Sequence, residues 1–114
     1  MQKLGPNQEL WLQALESGKY KQGSGCLEDK YGRFCCLGVA CVIQDIPTTT
    51  VENKCRSFLP DDAVEIYGFY SCYGKNISIE TLRCDFMNDD KEMTFSEIAK
   101  CIRLHPEHYF REPK

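Results

Sequence analysis

Apolar residues along this chain recur mostly at helical spacing. Leu10, Trp11, Ala14 and Leu15 define one face of a segment that Pro6 opens and Gly18 closes, which predicts a first helix over residues 6–17. Arg33 to Cys41 is the most apolar run and holds three of the eight cysteines. Its second part predicts a short buried helix over residues 36–44, burying Leu37, Ala40, Cys41 and either Val42 or Ile43. Gly38 inside that helix costs about 1 kcal/mol relative to alanine. A close approach by another backbone, such as the third or last helix, is the physical reason to keep it.

Leu59-Pro60-Asp61-Asp62 opens a third helix, with proline and two acids suited to a helix start, and Gly68 ends it after Ala63, Val64, Ile66 and Tyr67. Thr81 to Met87 suits a short helix that Asn88-Asp89-Asp90 breaks. The clearest local pattern is Thr94-Phe95-Ser96-Glu97, a capping box followed by the stripe Phe95, Ile98, Ala99 and Ile102. Pro106 stops that last helix.

Two stretches read as extended. Cys26-Leu27 and Arg33-Phe34-Cys35 are candidate strands of a ribbon joined by Glu28 to Gly32, fed by the glycine-containing turn Tyr20 to Gly25. Phe69 to Ile79 suggests a second ribbon, and Asp45 to Ser57 a polar loop or irregular edge strand. The expected fold is therefore α+β: about four helices with one or two short antiparallel β-ribbons. The helix at 36–43 is expected at the centre, against the first and last helices. A chain of 114 residues supports a single core. That single domain is expected to have a compact part at 6–104 and a tail at 105–114, ordered in part through Tyr109 and Phe110.

Composition narrows the function classes. Apolar residues at 42% and charged residues at 27% argue against disorder. A net charge of -3 and a pI near 5.4 provide no basic field, which argues against broad nucleic-acid binding. A local patch at Lys19, Lys21, Lys30 and Arg33 remains. No apolar run reaches membrane-span length and no signal-peptide core opens the chain, so a cytosolic, reducing compartment is expected. Cys35 and Cys36 are adjacent, and Cys36, Cys41, Cys84 and Cys101 fall in apolar helical segments. The eight cysteines thus read as reduced, buried small hydrophobes rather than a disulfide framework.

Four chemistries compete. Cys36, or Cys35, at a helix start would have a lowered thiol pKa and could act as a nucleophile. His105 or His108 would then be the base, oriented by Asp85, Asn88 or Asp89. Cys101 and His105 are four apart and, with Cys36 and Cys41, offer a zinc set, but no paired C-x2-C knuckle accompanies them. No metal or cofactor is therefore expected. Asp61-Asp62 and the Asn88-Asp89-Asp90 cluster are explained by a helix start and a turn, without a calcium-loop pattern. The loop at 20–25 lacks the G-x-x-x-x-G-K-[ST] of a phosphate-cradling loop. Tyr20, Lys21, Gln22, Arg33, Tyr67, Tyr70 and Tyr73 offer aromatic and cationic contacts of the kind that interfaces and ligand pockets use.

Gly-Arg-Phe-Cys-Cys-Leu-Gly-Val-Ala-Cys at 32–41 carries a resemblance, with Lys-Tyr-Lys-Gln-Gly-Ser-Gly before it. Leu-Pro-Asp-Asp, Met-Asn-Asp and Thr-Phe-Ser-Glu-Ile-Ala follow. Together they resemble a group of small uncharacterised bacteriophage-encoded proteins over most of residues 11–104. The resemblance brings no catalytic residues with it. It implies a phage source and the cytoplasm of an infected bacterium. The function expected is that of a non-enzymatic phage accessory protein binding a host protein or small ligand, with counter-defence as one such role. A cysteine-dependent enzyme using Cys36 is the alternative, and a zinc-stabilised interaction module the second alternative.

Overall fold

The first helix is the hub on which the others converge. The computed structural model describes residues 4–23, 27–48, 59–69 and 93–111. Among these residues the helices are α1 (Pro6–Glu16), α2 (Cys36–Val42), α3 (Asp61–Tyr67) and α4 (Phe95–Leu104), followed by a 3-10 turn at Pro106–His108. α1 packs against α2, α3 and α4. Helix α2 is buried from Cys36 to Cys41, with Val42 and Ile43 half-buried at its end, but α1 is the element that joins the others.

Trp11 explains why. It is completely buried, and its ring lies 5.3 Å from Phe69 and 6.1 Å from Phe110, edge-on to both, with Tyr67 at 6.0 Å. Phe69 and Phe110 stack at 5.0 Å. Such aromatic groups bury large apolar areas and must still satisfy their polar ends. Trp11 Nε1 donates to the Cys36 carbonyl at 2.9 Å, and the Tyr67 hydroxyl donates to the Ala40 carbonyl at 2.6 Å. Both polar tips therefore grip the backbone of α2, whose residues from Cys36 to Cys41 are all buried.

Phe110 and Tyr109 belong to this core. The Phe69–Phe110 bridge is secured by the Arg111 N–H donating to the Gly68 carbonyl at 2.7 Å. Residues expected to form a tail are thus built into the fold as far as Arg111.

Helix boundaries follow their signals closely. Gly18 and Gly68 take the left-handed conformation at the ends of α1 and α3, with φ of 74° each. Gln8 accepts from the Gly5 N–H at 2.8 Å and donates to the Tyr67 carbonyl at 2.7 Å, joining the start of α1 to the end of α3. The capping box of α4 is present in both directions, and its four stripe residues are buried. The face of α1 differs from expectation: Leu12 is buried with Trp11 and Leu15, whereas Leu10 is 54% exposed. The buried arc is centred between Trp11 and Leu15, and Leu10 lies beyond its edge.

The α+β expectation fails. Among the described residues there is no β-strand, only isolated bridges at Gln22–Phe34, Glu28–Phe34 and Phe69–Phe110, so the fold is helical. Pairing around Phe34 stops because the Asp29–Arg33 loop closes on one side and α2 begins at Cys36 on the other. One residue pairs with two neighbours and no ladder can grow. The proposed strand at Cys26 and most of the proposed ribbon at 69–79 lie outside the described residues. So do the helix expected at 81–87 and most of the loop at 45–57.

Candidate functional site

The most distinctive surface feature is the loop between Leu27 and Cys35, which ends in Tyr31. Asp29 holds it in shape. The N–H groups of Tyr31 and Arg33 donate to Asp29 Oδ1 at 2.9 and 3.0 Å, and Arg33 Nε donates to Oδ2 at 2.7 Å. The Asp29 N–H donates to the Arg33 carbonyl at 2.9 Å. An aspartate that accepts from its own loop in this way replaces the hydrogen bonds a ladder would have provided. The backbone donor of Arg33 most of all, opposed by desolvation and helped by the Arg33 side chain and the Tyr31 N–H, holds the Asp29 carboxyl below its ordinary range.

Tyr31 is held out from this frame and is 69% exposed. Lys30 Nζ and Arg33 Cζ each lie 5.2 Å from its ring centroid, so two cations flank one aromatic ring. Segment 21–23 runs beside the loop. The Phe34 N–H donates to the Lys21 carbonyl at 2.8 Å, and the Gly23 N–H donates to the Phe34 carbonyl at 2.7 Å. Tyr20 meets Phe34 edge-on at 5.8 Å. Glu28 accepts from the Thr48 hydroxyl at 2.7 Å, anchoring the loop's base. The result is an exposed tyrosine flanked by Lys30 and Arg33 on a hydrogen-bonded turn, with the backbone of Lys21 paired beside it.

Sequence candidates divide accordingly. Tyr20, Lys21 and Arg33 are brought to this one surface. Gln22 is beside them, but its amide is engaged with α4: it donates to the Met93 carbonyl at 2.7 Å and accepts from the Phe95 N–H at 3.2 Å. It positions the loop on the helix bundle. Tyr67 is buried and its hydroxyl bonds inside the core, where burial raises its pKa and so keeps it neutral. Tyr70 and Tyr73 lie outside the described residues. Tyr31 is not among the sequence candidates. Its signal was a large aromatic in a polar turn, outside every periodic segment and flanked by two cations within two positions.

The proposed catalytic set does not share a surface. Cys36 has no exposed surface and is covered by α1, while the side chain of His105 is 60% exposed beyond the end of α4. Cys35 is the N-cap of α2 and is buried, its Sγ accepting from the Gly38 N–H at 3.4 Å. Asp85, Asn88 and Asp89 lie outside the described residues. The alternative zinc set of Cys36, Cys41, Cys101 and His105 does not converge either. Cys36 and Cys41 are buried, Cys101 is a partly exposed free thiol, and His105 groups with Glu107 and His108 instead. Among the described residues no helix is long and apolar enough to cross a membrane.

A family model for a domain of unknown function (DUF8296) matches residues 6–57. That span contains α1, the Asp29–Arg33 loop and α2. No curated protein and no solved structure matches the chain.

Proposed function

We propose that this domain is a non-enzymatic binding protein whose Tyr31 loop docks on an acidic face of a partner protein. The observation that carries the reading is the exposed Tyr31 ring held between Lys30 and Arg33 on a loop that Asp29 makes rigid. Tyrosine and arginine are the residues that most often dominate interface energetics, and a loop ordered before binding loses little entropy on docking. Lys21 and Lys30 add positive charge to a chain that is negative overall, which favours an acidic counterpart. The burial of Cys36 supports binding over thiol catalysis.

The resemblance to phage-encoded proteins supports a phage accessory role, with a host protein as the partner in the cytoplasm of the infected bacterium. A photo-crosslinking residue at position 31, introduced in bacterial cells, tests the docking surface. A specific adduct is expected that Lys30→Glu with Arg33→Glu abolishes while the helical circular dichroism is unchanged. Adducts that persist in the charge-reversed protein would reject this loop as the docking site.

A further inference from the structure

A separate chemical centre lies where the chain leaves α4. His105 caps the helix end, and Pro106 opens a single 3-10 turn that carries Glu107 and His108. Side chains three apart in a 3-10 turn eclipse one another. The rings of His105 and His108 accordingly stack at 4.8 Å, inclined by only 10°. Glu107 Oε1 is 3.5 Å from His105 Nδ1. One ligand atom from each of the three residues lies within 4.8 Å of the other two.

Glu107 Oε2 itself is shielded from solvent and accepts no hydrogen bond from any described residue, while the side chain as a whole is 44% exposed and the backbone N–H of Glu107 holds its carboxyl below the ordinary range. Oxygens of that kind are rare in folded proteins because water has been removed and nothing has replaced it. A cation beside the carboxylate would compensate.

We propose that His105, Glu107 and His108 form a binding site for a divalent transition-metal ion of the zinc type. Two imidazoles and one carboxylate select zinc, cobalt, nickel or copper over magnesium and calcium, which prefer oxygen ligands throughout. Around a tetrahedral ion with bonds of about 2.0–2.1 Å, donor atoms stand roughly 3.3 Å apart. The three atoms must therefore draw together by up to roughly 1.5 Å, and the two imidazoles must turn out of their stack so that both in-plane lone pairs aim at the ion, movements open to side chains at the surface. Three protein ligands leave one position open for water or for a ligand from another molecule. The ion would also tie the end of α4 to the segment carrying Tyr109 and Phe110, so it should bind the folded chain and stabilise it. This site is independent of the Tyr31 loop.

The test is a titration of the untagged full-length protein with Co²⁺, followed by displacement with Zn²⁺, in a non-thiol reductant. Cobalt reports its own donors: thiolate ligands add an intense near-ultraviolet charge-transfer band, and imidazole and carboxylate do not. That distinction matters in a chain with eight cysteines. The expected result is one Co²⁺ per chain without the thiolate band, displaced by Zn²⁺. His108→Ala and Glu107→Gln should each weaken binding by at least about tenfold, with metal-free unfolding temperatures close to the wild-type value. Should His108→Ala disturb the metal-free fold, His105→Asn at the exposed position provides the same comparison. No saturable binding, or binding that shows the thiolate band and survives these substitutions, overturns the assignment.

Discussion

Gly38 of α2 stands directly against the Leu27 carbonyl: a Cβ at position 38 would lie 1.8 Å from that oxygen and 2.6 Å from its carbon. The same carbonyl accepts the Cys35 N–H at 3.2 Å, so the contact joins the loop base to the helix start. Gly38→Ala should therefore destabilise despite alanine's better helix propensity. Backbone cannot swing aside as a side chain can, and overpacking costs about 1–3 kcal/mol even in softer surroundings. A loss of about 3 kcal/mol or more is expected, read as a lower urea midpoint. An unchanged midpoint would show that the loop base and α2 are not in this contact.

Tyr67 and Ala40 offer a milder test. Tyr67→Phe keeps the ring against Trp11 and Phe69 but leaves the Ala40 carbonyl without its 2.6 Å donor. The expected cost is about 1–2 kcal/mol. Burial raises the Tyr67 pKa, so the folded state holds this proton more tightly than the unfolded one. The corresponding stability is complete below the ordinary tyrosine value near 10 and declines as pH rises beyond it. The wild-type protein should lose stability above that pH more steeply than Tyr67→Phe, measured by denaturant titration across the alkaline range.

Arg103 joins α4 to α1 through two carboxylates. Its Nη1 and Nη2 donate to Glu9 at 2.9 and 3.0 Å, and its Nε and Nη2 donate to Glu16 at 2.9 and 2.8 Å. Hydrogen bonds from Arg103 lower the pKa of both glutamates despite some opposing desolvation. The sign follows directly: their contribution is present above the unfolded value of 4.5 and is lost as pH falls through the depressed folded values. The partners are well exposed and screened by solvent, so Arg103→Ala should cost only about 1 kcal/mol at neutral pH. The difference from wild type should shrink below pH 4 and in high salt. A cost independent of both would assign the effect to packing of the arginine stem.

Asp45 predicts a gain. After α2 the Asp45 N–H donates to the Val42 carbonyl and the Ile46 N–H to the Cys41 carbonyl, which places Asp45 in the left-handed region at φ 56°. Glycine is the residue usually found in that position of this turn. Asp45→Gly should raise stability by about 0.5–1 kcal/mol, partly offset by the greater freedom of glycine in the unfolded chain. A fall in thermal midpoint would show that the aspartate side chain holds the turn.

Local signals were legible because they act within a few residues. The capping box at Thr94, the buried stripe of α4, the stop at Gly68 and the buried helix beginning at Cys36 all depend on backbone groups one or two turns apart, and sequence spacing reports those distances. Tyr20, Lys21 and Arg33 were legible as contact chemistry by residue type alone. Tyr67 carries the same type and has the opposite role, because its environment is made by Trp11, Phe69 and Ala40 from other elements.

By itself, then, the chain's order of residues determined where helices start and stop and which of their faces are apolar. The tertiary structure alone decided that α1 is the hub, that Leu27 is the backbone Gly38 must admit, and that pairing at Phe34 halts after one residue. It also decided that Tyr31 is held in solvent between two cations. The physical reason is common to all of these. Burial and close approach depend on which elements share one limited core, and that competition is settled across the whole chain rather than within any window of it.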